Sequence, residues 1–378
     1  MTAHAPYWLC PNAVFDGQML VQGMAVGFVD GRAVEVRPAA DLPALARTEK
    51  VQGIITPGFI DLQVNGGGDI LLNTTPTAAG MAAIAAAHRR FGTVGILPTV
   101  ITDAPPVLAA VAEAALVAKG GIGILGLHIE GPHIAAARRG THAENLVRPL
   151  DNATLAIVRR LRAADIAVMI TVAPEAATAA QIAELAAMDA VVSLGHSDAT
   201  ADETRTALAA GVSCFTHLFN AMSPMLNRSP GVVGAAINSS AYAGIICDGI
   251  HVADEMVGLA IRARPVADRM FLVSDAMPTV GGSDEFDLYG QKIRLVDGRL
   301  LNAEGSLAGA HVTMAQSVAR LVQVCGVDLA TALRMAVTVP ATVIGRPDLA
   351  QIAGRDAADL LVLDARLGVA GTCADLGQ

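Results

Sequence analysis

The sequence predicts an α/β protein: a (β/α)8 barrel with a small β-sandwich domain formed by both chain ends. Three observations predict it. Eight short runs rich in Val, Ile and Leu start 24 to 44 residues apart. Alanine-rich segments of helical period lie between them, and the two ends carry shorter, alternating runs.

The eight runs occupy 54–64, 94–101, 122–130, 166–175, 190–197, 214–220, 242–251 and 270–276. They are nearly continuous in apolar residues, which suits parallel strands buried on both faces. Segments 77–91 and 105–119 open with Thr or Pro and are followed by Gly, the order in which helices start and stop. Segments 154–164 and 202–210 keep helical period as well. Eight alternations with room for right-handed crossovers point to a closed barrel. An open doubly wound sheet is the alternative, disfavoured because no Gly-rich dinucleotide loop follows the first strand.

The ends read differently. Turn signals at Phe15-Asp16-Gly17 and Val29-Asp30-Gly31 break residues 1–53 into short strands, and 359–364 is another strand-like run. Neither end buries a core alone, so 1–53 and 341–378 are expected to meet as one domain beside a barrel of 54–340. Segment 283–301, with Val296-Asp297-Gly298, reads as a hairpin inserted before the last helix.

Composition excludes several function classes. At 53% hydrophobic and 16% charged residues, the chain is too apolar to stay disordered. Its 26 basic residues against 35 acidic ones give a net charge of −9, and its Arg pairs are scattered, so nucleic acid is not an expected partner. A mean hydropathy of +0.49 raises the question of a membrane. The longest uncharged stretches, 206–227 and 229–247, are interrupted by Asn, Ser, Pro or His, so no span is expected. No basic-then-apolar leader opens the chain, and the five cysteines (10, 214, 247, 325 and 373) form no C-x-x-C pair. A cytoplasmic enzyme with reduced thiols is the expectation.

Ionisable residues gather at the ends of the expected strands. Strand three ends in His128-Ile129-Glu130, strand five in Gly195-His196-Ser197-Asp198, and strand six contains Thr216-His217. Strand seven ends in Asp248-Gly249-Ile250-His251 and strand eight in Ser274-Asp275. Active sites of such barrels are built on that face. A lone histidine near an apolar run is more often a hydrogen-bonded core residue, a reading that stays fair for His128. His4 and His88 read as surface residues. Glu130, His196 and His217 make a two-His, one-carboxylate set that suits zinc and other divalent first-row metals. A buried ion-pair network is the competing reading of the same three. Asp275 is a candidate general base or acid, or else an ordinary helix N-cap. Gly66-Gly67-Gly68 lacks the Lys-Ser/Thr of a phosphate loop and reads as a turn, and no Gly-x-Ser-x-Gly elbow supports a serine nucleophile.

These residues carry a resemblance. Pro57-Gly58-Phe59-Ile60-Asp61 resembles the amidohydrolase superfamily. Leu127-His128-Ile129-Glu130-Gly131-Pro132, Gly140-Thr141-His142, Gly195-His196-Ser197, Thr216-His217-Leu218-Phe219-Asn220-Ala221-Met222, Asp248-Gly249-Ile250-His251-Val252 and Ser274-Asp275-Ala276 are similar, in consistent order, to the N-acetylglucosamine-6-phosphate deacetylase family within it. Where many amidohydrolases carry His-x-His after the first strand, this chain has Gln63-Val64-Asn65. An amide is a weaker zinc ligand than imidazole, so one metal is expected, with Gln63 and Asn65 at the former second-metal positions.

The resemblance implies roles. Glu130, His196 and His217 would hold one divalent metal per subunit, zinc first, with iron, manganese or cobalt also compatible. Asp275 would activate the water that attacks the acetamide carbonyl and then protonate the leaving amine. His142 would stabilise the oxyanion. Thr141, Asn220, Ala221, Arg228, Asp248, His251, Leu307, Ala308 and Gly309 would contact the phosphosugar, with Arg228 and His251 at the phosphate. In the family that arginine can come from the neighbouring subunit, which implies a homodimer. The implied reaction yields glucosamine 6-phosphate and acetate. Alternatives are the galacto epimer, another cyclic-amide hydrolysis, or a non-catalytic sugar-phosphate-binding barrel.

Overall fold

The computed structural model describes residues 7–303 and 305–376; His4 lies outside them. Eight strands run parallel in sequence order: β1 (Phe59–Val64), β2 (Thr93–Ile101), β3 (Gly126–Glu130), β4 (Ala167–Val172), β5 (Val191–Leu194), β6 (Cys214–Phe215), β7 (Tyr242–Ile245) and β8 (Met270–Leu272). Every residue of β1, β2 and β3 is buried, as expected of strands covered on both faces. A helix follows each strand: α1 (Ala78–Arg89), α2 (Pro105–Ala118), α3 (Asn152–Ala163), α4 (Ala179–Ala187), α5 (Ala201–Ala210), α6 (Gly231–Ile237), α7 (Asp254–Ala263) and α8 (Met314–Gln323). Their starts follow local chemistry. Thr178, Thr200 and Thr313 close capping boxes with Gln181, Glu203 and Gln316, while Pro105 opens α2. No helix among the described residues is long and apolar enough to cross a membrane.

The barrel closes through a seam that is thin in backbone pairing. Between β1 and β8 the ladder reduces to the bridge Val64–Ala276 and a few flanking bonds, such as Asp275 N–H to the Gln63 carbonyl at 3.0 Å. Two side chains add to it: the Ser274 hydroxyl donates to the Gln63 carbonyl at 3.4 Å, and the Asp61 carboxylate bonds Ser274 across the seam and Gln63 within its own strand. That carboxylate accepts from Ser274 N–H at 3.2 Å and from Gln63 N–H at 3.1 Å, and it is fully buried. Burial pushes its pKa up to about 7 against the pull of the Ser274 and Gln63 donors. This seam fixes Asp275 beside Gln63 and Asn65.

Inside the barrel a polar layer crosses from strand to strand. His128 Nδ1–H donates to the Leu62 carbonyl at 3.0 Å, and its Nε2 lies 2.8 Å from Thr171 Oγ1. Thr171 bonds Thr216, and Thr216 bonds Ser193, each at 2.7 Å. His128 is therefore a satisfied core histidine, pushed down to about 4 by burial. His88 departs from its expected surface position. It is 1% exposed because the last turn of α1 packs under the turn at Gly66-Gly67, where its Nε2–H donates to the Gly66 carbonyl at 2.9 Å. A Cβ at Gly67 would stand 2.8 Å from that ring.

Both ends build one hydrogen-bonded seven-stranded sheet. Tyr7–Phe15 pairs antiparallel with Met24–Val29 and parallel with Thr48–Pro57, which in turn pairs antiparallel with Leu360–Leu363. Leu9, Val26, Phe28, Ile55, Leu360 and Val362 share its core. Residues 54–57 thus extend a strand of this sheet, and the first barrel strand begins at Phe59, later than the expected Ile54. Gly58 makes the passage: a Cβ there would meet Val94 at 2.3 Å, so only glycine lets the chain turn so close to β2. The helix Val339–Val343 straddles the expected boundary at 340/341 and packs into a cluster with Ile60, Leu97 and Phe271 of the barrel. The inserted segment forms three antiparallel strands, Glu285–Leu288, Gln291–Val296 and Arg299–Leu301.

The seam makes a prediction. Asp61→Ala strands two buried N–H groups and should cost about 3 kcal/mol or more, read as a lower urea midpoint with unchanged slope. A loss under about 0.5 kcal/mol would show that the seam closes without the carboxylate.

Candidate active site

The chemical side chains arrive from the ends of five strands. Glu130 is the last residue of β3, and His142 stands in the loop that follows it. His196, His217 and His251 lie past the ends of β5, β6 and β7, and Asp275 lies past β8. The turns that aim them are unusual. His196, His217, Phe219, Ala221 and Asp275 all have positive φ without being glycine, and residues held so are concentrated where function demands a fixed side-chain direction.

The side chains converge on a pocket of about 170 Å³. Asn65, Glu130, Thr141, His142, His196, His217, Asn220, Ala221, His251, Asp275, Leu307 and Gly309 line it, all of them picked out in the sequence. Gln63 stands behind the lining and bridges two carboxylates. Its Nε2 donates to Glu130 Oε1 at 2.9 Å and to Asp275 Oδ1 at 3.1 Å. Asn65 Nδ2 donates to the same Asp275 oxygen at 2.7 Å. Asp248 also stands behind: it accepts from Ile250 and His251 N–H and sits 2.6 Å from His251 Nδ1, clamping that ring. Ala308 is buried under the Leu307 and Gly309 wall. Arg228 lies on the exposed stretch 224–230, outside the pocket lining.

Gly140, quoted in the sequence only as part of Gly140-Thr141-His142, also lines the pocket, as do Ile101 and Met277, which had not been singled out. Ile101 ends β2 and Met277 follows β8, so strand position alone could have found them. Their apolar side chains carried no chemical signal.

The electrostatics centre on Glu130, 2% exposed. His217 Nε2 is 3.0 Å and His196 Nε2 3.3 Å from Glu130 Oε1, and the two imidazole nitrogens are 3.0 Å apart. Burial pushes the Glu130 carboxyl up, but the contacts with His196 and His217 overcome it and hold it well below the usual range. Burial pulls His217 down, and the Glu130 hydrogen bond and charge outweigh it, raising that imidazole. Burial and the Glu130 charge push Asp275 up. His142 is driven down to about 3 by burial and by His196, so it is neutral at working pH.

This donor set fits a divalent cation. One carboxylate oxygen and two imidazole nitrogens meet within 3.3 Å in a buried place. His196 Nδ1–H donates to the Arg138 carbonyl at 2.9 Å, which turns the bare Nε2 toward the cluster, as outer bonds of metal-binding histidines do. His142 also brings a ring nitrogen within 4.8 Å of donor atoms of Glu130 and His196. The Gln63 amide N–H groups bridge Glu130 and Asp275, and the Asn65 amide N–H donates to Asp275.

Comparison with known proteins agrees with this architecture. The model of the amidohydrolase family matches residues 54–375, and the chain belongs to that family. It is 41% identical to an N-acetylgalactosamine-6-phosphate deacetylase of Shewanella sp. (strain ANA-3), covering 82% of this chain and 79% of the relative. It is 31% identical to the N-acetylglucosamine-6-phosphate deacetylase of Haemophilus influenzae, covering 91% and 92%. The crystal structure of N-acetylglucosamine-6-phosphate deacetylase from Pasteurella multocida superposes with a TM-score of 0.90 at 32% identity over 97% of both chains.

The cluster predicts a linkage between metal and stability. Titrating zinc into chelator-treated protein should raise the melting temperature, by an amount worth about 4 kcal/mol at a thousandfold excess over Kd. Glu130→Gln should abolish the rise. An unshifted melting curve in the unaltered protein would leave only the ion-pair reading.

Proposed function

We propose that the protein removes the acetyl group from N-acetylglucosamine 6-phosphate, giving glucosamine 6-phosphate and acetate. The observation that carries the reading is the pairing, in one pocket, of the Glu130–His196–His217 donor cluster with a second carboxylate, Asp275, held by Asn65 and Gln63. The amidohydrolase match and the deacetylase relatives support it.

In this reading Glu130, His196 and His217 hold one divalent cation, zinc by the preference of that donor set. When bound, the cation supplies Lewis-acid polarisation and makes water a nucleophile at neutral pH. The chain's own groups do the rest. Asp275 takes a proton from the attacking water as the C–O bond forms. As the C–N bond breaks, it returns that proton to the departing amine nitrogen, so the neutral amine and acetic acid leave, and the acid's proton passes to the amine or to solvent to give acetate. Its raised pKa suits a group that must hold a proton between the two steps. Asn65 and Gln63 keep its carboxylate aimed across the pocket. His142, neutral throughout, donates to the carbonyl oxygen as negative charge develops there. His251, clamped by Asp248, faces the phosphate, while Thr141, Asn220, Ala221, Leu307 and Gly309 shape the sugar site over Ala308. Arg228 reaches the phosphate of the neighbouring subunit's substrate from its exposed loop, which makes the working form a homodimer. Five unpaired thiols fit work in the cytoplasm.

A second reading has its own support. The relative at 41% identity acts, by its name, on the galacto epimer. The two differ only at one sugar carbon, so the same chemistry serves either.

The test is acetate release from both N-acetylhexosamine 6-phosphates and from unphosphorylated N-acetylglucosamine, using zinc-loaded protein. The proposal expects turnover of the gluco phosphosugar and little of the unphosphorylated sugar. Preference for the galacto phosphosugar would establish the second reading, and no release from any would overturn both. Asp275→Asn should lower kcat by roughly a thousandfold with metal content unchanged. Metal loss in that variant would remove Asp275 from the role of proton carrier.

A further inference from the structure

One feature of the pocket has two chemical readings: His142. Its ring nitrogens meet different surroundings. Nδ1 lies 2.6 Å from Thr102 Oγ1, which leaves Nε2 as the atom available to the pocket. If Nδ1 carries the proton, Nε2 is bare and His142 joins Glu130 and His196 as a metal ligand. If Nε2 carries it, His142 is a hydrogen-bond donor to substrate and stays out of the metal's shell. A neutral imidazole is a donor at one nitrogen and an acceptor at the other, never both at one.

Thr102 decides between them. It is fully buried, and among the described residues its hydroxyl has one hydrogen-bond partner, His142 Nδ1. A buried donor left without an acceptor is more costly than an under-used oxygen lone pair. The hydroxyl proton must therefore point at Nδ1, which is then the acceptor. The surroundings hold this arrangement. Gly131 sits at φ +81°, and a Cβ there would stand 2.3 Å from Thr102 Oγ1, so glycine leaves room for the bond. From the inserted hairpin, the Tyr289 hydroxyl donates to the Thr102 carbonyl oxygen and fixes that residue's backbone.

We infer that Thr102 is a positioning residue: its hydroxyl locks His142 in the Nε2–H tautomer, making it a donor to the substrate carbonyl and excluding it from the metal's ligands. The tautomer stands on geometry alone. Its consequence for catalysis rests on the proposed deacetylase reading.

Two measurements test it. Heteronuclear NMR of histidine-labelled protein, with His142 assigned by its loss in His142→Asn, should show a protonated Nε2 and an unprotonated Nδ1. A protonated Nδ1 would overturn the inference whatever the protein hydrolyses. In the acetate assay, Thr102→Ser keeps the hydroxyl and should hold kcat within about threefold. Thr102→Val keeps the shape and loses the donor, so kcat should fall roughly tenfold to a hundredfold, with KM and bound metal little changed. Equal impairment of the Ser and Val variants would reduce Thr102 to a packing role. If Thr102→Val does not fold, the NMR result and Thr102→Ser still decide. Absence of any acetate release by the unaltered protein would count against the proposed function and leave the tautomer to the NMR.

Discussion

A carboxylate that is 2% exposed, with two imidazole nitrogens within 3.3 Å of one of its oxygens, governs this molecule. Such a group is costly to bury unless hydrogen bonds or an opposite charge answer it. Glu130 is answered by His196 and His217 and by a Gln63 amide donor, and each arrives from a different strand of the barrel. The cluster therefore exists only while β1, β3, β5 and β6 keep their register. Three lone-pair atoms facing one another form a poor resting arrangement without a proton or cation between them, and this is why the site reads as a metal centre.

The barrel's seam extends that dependence to the second carboxylate. Asp275 follows β8, and the Asp61 side chain bonds Ser274 N–H across the seam of β8 with β1. The same short stretch at the end of β1 that supplies Asp61 also supplies Gln63 and, one residue past the strand, Asn65, which donate to Asp275. Scaffold closure and placement of the second carboxylate are thus one structural problem, solved within residues 61–65. Burial and the Glu130 charge raise the Asp275 pKa because the seam places it inside the pocket and not at its rim.

Much of this was legible in the chain. Alternating apolar runs and helical segments gave the barrel, since strands covered on both faces leave an unbroken hydrophobic signature. The ionisable residues at strand ends gave the pocket, because a histidine or aspartate ending a buried strand has few uncharged neighbours to hide it. What escaped detection was of two kinds. Ile101 and Met277 line the pocket with side chains indistinguishable in sequence from core, and His88 looked exposed beside Arg89-Arg90 although its helix face turns inward. The start of the first barrel strand was hidden because 54–57 and 59–64 are equally apolar, and only Gly58 marks the passage between sheet and barrel. Thr102 gave no signal at all, since its importance lies in the single nitrogen it faces.

In the proposed assignment Glu130, His196 and His217 hold the metal while His142 serves the substrate. Metal content per chain, measured in purified His217→Asn and His142→Asn side by side, tests it most directly. His217→Asn should lose the metal and His142→Asn should retain it at the level of the unaltered protein. Retention in His217→Asn with loss in His142→Asn would contradict it and move the metal to Glu130, His142 and His196.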